Sequence, residues 1–89
     1  MYYVYVLKSL QTGKYYKGFT KNINRRLKEH EQGKTQTTNF LRPFVMIHVE
    51  ICSSLEEARI LEKFFKSGFG REVIKEIDAE VAELVYAQS

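Results

Sequence analysis

Hydrophobic residues at the start of the chain follow the pattern of a two-stranded hairpin. Residues 2–7 and 15–19 are dense in aromatic and β-branched side chains, which favour strands. Turn-forming residues lie between the two runs, at Gln11, Thr12 and Gly13. The sequence therefore predicts that the chain begins with a β-hairpin.

The segment after the hairpin predicts a helix over residues 22–32. Thr20 or Asn22 can cap its first turn, and Gly33 is placed to end it. Residues 34–39 are polar and show no periodicity, so they predict a loop. This loop would lead the chain into a third strand.

The third strand and two further helical segments complete the pattern. Apolar and polar residues alternate over residues 45–51, which is typical of a half-buried or central strand. Ser53 or Ser54 can cap a helix over residues 55–66, and two glycines separate it from a shorter helix around residues 71–77. The order β-β-α-β-α-α predicts an α+β domain with a small, three-stranded, mainly antiparallel sheet flanked by helices.

The C-terminal residues are predicted to form a helical extension. Residues 1–77 account for the domain, and residues 78–89 would pack on it as a further helical segment. Its apolar stripe consists of Val81, Leu84, Val85 and Tyr86. This stripe either covers the core or makes a dimer, so a monomer and a weak homodimer both fit the sequence.

Length and composition restrict the chain to one globular domain. With 89 residues, of which 44% are hydrophobic, it can support a single core. Cys52 is the one cysteine, which excludes an internal disulfide and disfavours a thiolate zinc site. No apolar run approaches the roughly 20 residues that span a bilayer, and the N-terminus does not resemble a signal peptide. The expectation is a soluble, cytoplasmic protein without a membrane partner.

Basic residues concentrate in the first half of the chain. The net charge is +3, and nine basic residues, counting a protonated His30, lie from Lys14 to Arg42. The last fourteen residues contain four acidic residues and no lysine or arginine. This distribution favours a polyanionic partner, although a solvated mixed surface explains the charges equally well. The candidates for binding nucleic acid are Lys17, Lys21, Arg25 and Lys34.

Glu62 fits its predicted surroundings least. On the helix over residues 55–66 it falls within the apolar arc that faces the core. A carboxylate removed from water without a partner is costly, so it pairs with a cation, binds a metal or is protonated. A buried salt bridge explains this position as well as a functional role does.

Four other residues become informative when they are considered together. Arg26 and His30 are four residues apart and lie on one helix face at the edge of the core, while Tyr5 and Tyr16 lie in the hairpin strands. Each alone has a structural explanation. Together with Glu62 they form a set that can hydrolyse a phosphodiester, which needs charge stabilisation, a base and help for the leaving oxygen.

The same residues resemble the GIY-YIG endonucleases, in particular small stand-alone proteins similar to the nuclease domain of an excision-repair subunit. The resemblance covers about residues 2–71. The matching elements, in order, are Tyr3-Val4-Tyr5 for GIY, Tyr16-Lys17-Gly18 for YIG, Arg25-Arg26-Leu27-Lys28-Glu29-His30 for the helix arginine and histidine, Glu62 for the metal-binding glutamate, and Lys66-Ser67-Gly68-Phe69-Gly70-Arg71 for the ending of the short branch. Both triplets keep their tyrosines, but Tyr3 replaces the first glycine and Lys17 replaces the middle apolar residue.

The resemblance implies a metal-dependent DNA endonuclease, structure-selective or weakly sequence-specific, acting in DNA repair or recombination. Tyr16, or water bonded to it, is the implied general base, and Tyr5 would position the nucleophile and the phosphate. Arg26 would stabilise phosphoryl charge, and Glu62 would hold one Mg²⁺ or Mn²⁺ beside the leaving 3′ oxygen. His30 would orient the substrate or a tyrosine, or share in proton transfer.

Two other functions fit the sequence. The altered triplets are consistent with a catalytically silent nucleic-acid-binding module of the same fold. A structural interaction domain, in which Glu62 pairs with Arg26, is the third alternative. For a nuclease, nothing outside the core is long enough to read a sequence, so specificity would have to come from a protein partner.

Overall fold

The computed structural model describes residues 1–33 and 42–87, with side chains as far as Leu84. Within these residues, a three-stranded antiparallel sheet carries three helices in the order β-β-α-β-α-α. The elements are β1 (Tyr2–Ser9), β2 (Tyr15–Thr20), α1 (Ile23–Glu31), β3 (Phe44–Cys52), α2 (Leu55–Lys66) and α3 (Gly68–Ala87). The predicted α+β class and element order are confirmed.

β1 lies at the centre of the sheet, between β2 and β3. Every side chain from Val4 to Leu7 is buried, as expected for a strand that is covered on both faces. Of the two alternatives predicted for β3, a half-buried or a central strand, the central one does not hold, because β3 forms an edge and leaves Val49 40% and Ile51 64% exposed. A strand's own periodicity does not encode its place in the sheet, which depends on pairing between distant segments.

The two faces of the sheet bury different kinds of side chain. Val4 and Val6 belong to an apolar core that includes Phe65 of α2 and Ile74 of α3. Tyr5 lies between these valines in β1, so its side chain points to the opposite face. α1 lies on that face, where its residue His30 contacts Tyr5. The sheet thus separates an apolar core from a polar, aromatic cluster.

Local capping explains where α1 and α2 begin. The Asn22 side chain accepts a hydrogen bond from the Arg25 amide, and the Ser54 hydroxyl accepts one from the Glu57 amide. Each satisfies a backbone donor that the first helical turn leaves without an intrahelical partner. Both caps are among the predicted ones, and α2 has the predicted bounds.

α3 is longer than its sequence pattern indicates. Instead of a shorter helix around residues 71–77, one continuous helix extends from Gly68 to Ala87. Its glycines lie in the first turn, and a Cβ added at Gly70 would overlap the carbonyl oxygen of Phe64. Gly70 therefore permits close packing of α3 against the end of α2 and does not interrupt the helix.

Asp78 fastens α3 to the sheet. Its Oδ2 lies 2.8 Å from Lys8 Nζ on β1 and accepts a 2.6 Å hydrogen bond from the Tyr15 hydroxyl on β2. Burial alone would raise the pKa of Asp78. The hydrogen bonds from Lys8 and Tyr15 outweigh this effect, so the pKa of Asp78 is lower than usual. Beyond Asp78, Val81 is half-buried and Leu84 is 64% exposed.

No helix in the described part of the chain is long and apolar enough to cross a membrane.

Candidate active site

Tyr5 and His30 form the centre of a buried polar cluster between β1 and α1. The Tyr5 hydroxyl lies 2.9 Å from His30 Nε2, and both residues are fully buried. Tyr16 of β2 completes the cluster, with its ring centroid 6.3 Å from that of Tyr5 and 5.3 Å from that of His30. The fold therefore brings together three of the predicted catalytic residues.

Arg26 joins this cluster from the preceding turn of α1. Hydrogen bonding to Tyr5 raises the pKa of Arg26, and Glu29 and Tyr16 contribute in the same direction. Its Nη1 also donates a 2.9 Å hydrogen bond to Glu29. Because a guanidinium has donors only, the Tyr5 oxygen accepts from Arg26, which leaves the Tyr5 hydroxyl hydrogen available for donation to His30 Nε2.

Burial determines the protonation states of Tyr5 and His30. It raises the pKa of Tyr5 to about 12, and the negative charge of Glu62 adds to the rise, whereas Arg26 opposes it. Burial also lowers the pKa of His30, and the positive charge of Arg26 lowers it further. At neutral pH, Tyr5 is therefore protonated and His30 is neutral, as the hydrogen bond from Tyr5 to Nε2 requires.

Gly18 provides the space in which the two tyrosines meet. It lies opposite Tyr5 in the β1–β2 register. A Cβ at this position would lie 2.7 Å from the Tyr5 hydroxyl oxygen and 3.1 Å from Tyr16 Cε1. The glycine of the second triplet is thus required by the close approach of the rings, a reason that the sequence alone does not show.

Glu62 lies on α2, which packs against β1 and β2. Its side chain is 21% exposed, and Oε1 lies 3.3 Å from Lys66 Nζ. It is close enough for its charge to raise the pKa of Tyr5. The pair between Glu62 and Arg26 that the third alternative requires is not found among the described residues, where Arg26 pairs with Glu29 and Glu62 with Lys66.

Glu62 could supply one carboxylate ligand to a magnesium-type ion. Mg²⁺ uses one or two protein carboxylates and completes its shell with water and substrate phosphate oxygens. A single, partly exposed carboxylate fits this requirement. In the part of the chain that the structure describes, no group of three or more His, Cys, Asp or Glu residues is arranged to hold a metal. The donor set therefore offers one carboxylate rather than a complete protein cage.

The predicted nucleic-acid-binding residues have different surroundings. Arg25 is largely exposed and pairs with Glu29 at 3.5 Å. Lys21 Nζ lies over the Tyr2 ring, 5.3 Å from its centroid, whereas Lys17 is half-buried. Lys34 lies outside the described residues.

Two basic residues that sequence reasoning missed lie close to Lys17. Burial lowers the pKa of Lys17, and the charges of Arg71 and Lys66 lower it further. Lys66 is the last residue of α2, and Arg71 lies in the first turn of α3. Their positions in the motif at residues 66–71 are visible in the sequence, but their proximity to β2 depends on the turn between α2 and α3.

The fold and this cluster define the class of the protein. The chain matches the family model described as the GIY-YIG catalytic domain over residues 1–75, and it belongs to that family. Members of the family are generally endonucleases that act on DNA.

A curated relative places the chain more closely within the family. Over 66 residues it is 41% identical to a UPF0213 protein of Bacillus licheniformis, a match that covers 73% of this chain and 67% of the relative. UPF0213 proteins are small, stand-alone members of the GIY-YIG family. No solved structure matches the chain. The resemblance seen in the triplets is therefore confirmed at the level of the family.

Proposed function

We propose that this domain is a metal-dependent endonuclease that hydrolyses phosphodiester bonds in DNA. The observation that carries the proposal is the convergence of Tyr5, Tyr16, Arg26 and His30, with Glu62 close enough to influence Tyr5. Membership of the GIY-YIG family supports the same class of reaction.

Arg26 and Tyr5 are suited to hold the scissile phosphate. Arg26 is charged at any working pH, and its planar guanidinium matches two phosphate oxygens. It would stabilise the negative charge that grows on the phosphoryl group. Tyr5 keeps its proton because its pKa is about 12, so it would position groups by hydrogen bonding and would not act as the base.

Tyr16 is the better candidate for the general base. It is half-buried, whereas Tyr5 is fully buried, so its hydroxyl is the more accessible of the two. A neutral phenol is a poor base at neutral pH, so Tyr16 would pass its own hydroxyl proton on to solvent as it accepts one. Tyr16 would take a proton from the attacking water, directly or through a second water.

Glu62 would hold one Mg²⁺ or Mn²⁺ ion. Such an ion, when bound, supplies charge stabilisation for the leaving 3′ oxygen. The contribution of the chain is a carboxylate that α2 fixes in position and that Lys66 balances electrically.

We further propose that cleavage selects the structure of DNA rather than its sequence. The match to the catalytic-domain model covers residues 1–75, so most of the described chain belongs to the nuclease core, and sequence selection would come from a protein partner. DNA repair or recombination in the cytoplasm is the setting that fits this activity.

The deciding experiment compares cleavage of labelled single-stranded, duplex, flap and branched DNA by wild-type protein, Tyr16→Phe and Glu62→Gln. Metal-dependent nicking should be lost in both variants, with a fall in rate of at least about 100-fold for each. Glu62→Gln should change the free energy of unfolding by no more than roughly 0.5 kcal/mol, because its ion pair with Lys66 is a partly exposed i,i+4 pair.

Each alternative function predicts a different result. A silent binding module would bind DNA with strong salt dependence but would not cut any of the four substrates. A structural role for Glu62 would appear as a marked loss of stability in Glu62→Gln. Either result would contradict the proposed nuclease.

A further inference from the structure

Phe69 is an aromatic side chain that is held in place yet remains open to solvent. It lies in the first turn of α3 and is 73% exposed. Its ring contacts Phe64 of α2 with a centroid separation of 5.9 Å and an interplanar angle of 63°. One side of the ring is thus supported by the protein, while most of its surface faces outward. A single exposed phenylalanine is common on protein surfaces and by itself indicates no function. Phe69 is informative because of the basic residues near it.

Three cations lie near the junction of α2 and α3 that carries Phe69. Lys66 lies three residues before Phe69 and Arg71 lies two residues after it, while Lys17 reaches the same region from β2. Lys17 is half-buried although both neighbours repel its charge. Glu62 offsets part of this repulsion through its ion pair with Lys66. The repulsion between clustered positive charges decreases when a polyanion binds to them.

We propose that Phe69, Lys17, Lys66 and Arg71 form a surface that binds an unpaired segment of the DNA substrate. One base would stack on the Phe69 ring, and the flanking phosphates would contact the three cations. The inference rests on the proposed function, because it places unpaired nucleotides beside Glu62, one helical turn before Lys66.

The combination of ring and charges selects this ligand. Every base offers a flat face for stacking, so an aromatic platform beside a basic groove tolerates any sequence. Inside a duplex both faces of a base are covered by its neighbours, so fully paired DNA would contact only the cations. A purely apolar partner would use Phe69 but would gain nothing from Lys66 and Arg71.

A fluorescence experiment tests the stacking directly. The chain contains no tryptophan, so Phe69→Trp introduces a single tryptophan at the proposed platform, and its emission can be excited selectively over that of the six tyrosines. The variant is titrated, without divalent metal, with a single-stranded oligonucleotide and with a fully paired duplex formed from two complementary strands of the same length. Single-stranded DNA should quench the emission at concentrations at which the duplex causes little change.

Affinity measurements with matched variants complete the test. Phe69→Ala should weaken binding of single-stranded DNA by roughly 5- to 150-fold, the range for one stacked base, with little effect on duplex affinity. Leu84→Ala is the control, because Leu84 is 64% exposed and lies about 22 Å further along α3. It should bind both ligands as the wild type does. Lys66→Gln and Arg71→Gln should each reduce the salt dependence of single-strand binding, by about 0.7 in log–log slope for each phosphate that is no longer neutralised.

The outcomes separate this inference from the proposed nuclease. Equal quenching by both ligands, no quenching, or unchanged single-strand affinity in Phe69→Ala would overturn the binding surface, whatever the cleavage assay shows. Selective quenching and a weakened Phe69→Ala would support it. If the wild type then failed to cut DNA with Mg²⁺ or Mn²⁺, the nuclease activity would fail while the binding surface stood.

Discussion

The two strand tyrosines have similar surroundings in the sequence but different environments in the fold. Tyr5 is fully buried, bonded to His30, and has its pKa raised to about 12. Tyr16 is half-buried and reaches the same cluster from the edge strand β2. Residues of one type acquire separate chemical roles when their environments differ in this way. The division of labour that we propose, with Tyr5 as the positioning tyrosine and Tyr16 as the base, rests on this difference in burial.

Gly18→Ala tests how closely the cluster is packed. Its Cβ would lie 2.7 Å from the Tyr5 hydroxyl oxygen, so this hydroxyl must move away from Arg26 and His30. We expect cleavage to fall by about 100-fold, as displacements of about 1 Å can cost. The free energy of unfolding should fall by about 1–3 kcal/mol, the usual cost of overpacking. Cleavage rates and urea denaturation provide the two measurements.

The control for Gly18→Ala is the double variant with Tyr5→Phe. Removing the Tyr5 hydroxyl deletes the atom that the new methyl group meets first. The two activity losses should therefore be strongly non-additive, since both act through the same hydroxyl. Additive losses would show that Gly18 acts by another route.

His30 should make stability depend on pH. Its pKa is lowered by burial and by Arg26, so the unfolded chain binds a proton near pH 6.5 while the folded chain binds one only at lower pH. The unfolded state therefore carries more protons within this window, and stability falls as the pH drops through it. Urea denaturation between about pH 5 and pH 7 should show this decline.

Substitution of the two histidines separates their contributions. His30→Gln should flatten the decline below pH 6.5, because the titrating group is removed. His48→Gln is the matched control, since His48 is the other histidine in the chain and lies partly exposed on β3. If the decline persisted in His30→Gln and disappeared in His48→Gln, His48 and not His30 would be responsible for the pH dependence.

At the scale of elements, short-range signals predict most of the fold. α2 has the predicted bounds because Ser54 caps it and its apolar arc buries Ala58 and Phe65. The hairpin strands follow from local aromatic and β-branched runs. These features depend on residues a few positions apart, which a sequence displays directly.

Features that depend on packing between distant segments are not predictable in this way. The edge position of β3 depends on its pairing with β1. In the sequence, β2 and α1 lie between these two strands. The bond between Tyr15 and Asp78 spans 63 positions in the sequence. In the candidate site, motifs identify the five catalytic candidates, but they do not reveal that Lys17 of β2 lies near Lys66 and Arg71.

The junction between α2 and α3 should be sensitive to one glycine and insensitive to the other. Gly70→Ala would force a methyl group into the Phe64 carbonyl oxygen, so we expect it to destabilise the protein by more than about 2 kcal/mol. At Gly68 an added Cβ meets nothing within 4 Å, so Gly68→Ala should be neutral or slightly stabilising. Melting temperatures of the two variants make the comparison, and equal losses would refute the packing explanation.

At the scale of the whole molecule, Asp78 joins the C-terminal helix to both hairpin strands. Asp78→Asn removes the charge that Lys8 and Tyr15 share, so the free energy of unfolding should fall by about 1–3 kcal/mol. Because the folded pKa of Asp78 is lowered, its contribution is present above the unfolded value and is lost as the pH falls through the folded one. Glu80→Gln, an exposed acidic neighbour on α3, should leave stability unchanged in the same urea titration. Equal losses in the two variants would show that helix charge, and not the bond to the sheet, is responsible.

The ion pair between Glu62 and Lys66 also has a practical consequence for handling the protein. Because a lysine already neutralises this carboxylate, the folded domain does not need the proposed divalent cation to balance its charge. Zinc fingers, in contrast, unfold when a chelator removes their metal. This domain should keep its melting temperature in EDTA, so metal-stripped protein can serve as correctly folded starting material for calcium, magnesium and manganese titrations. The affinity measured in such titrations would include the work of releasing Lys66 from its partner.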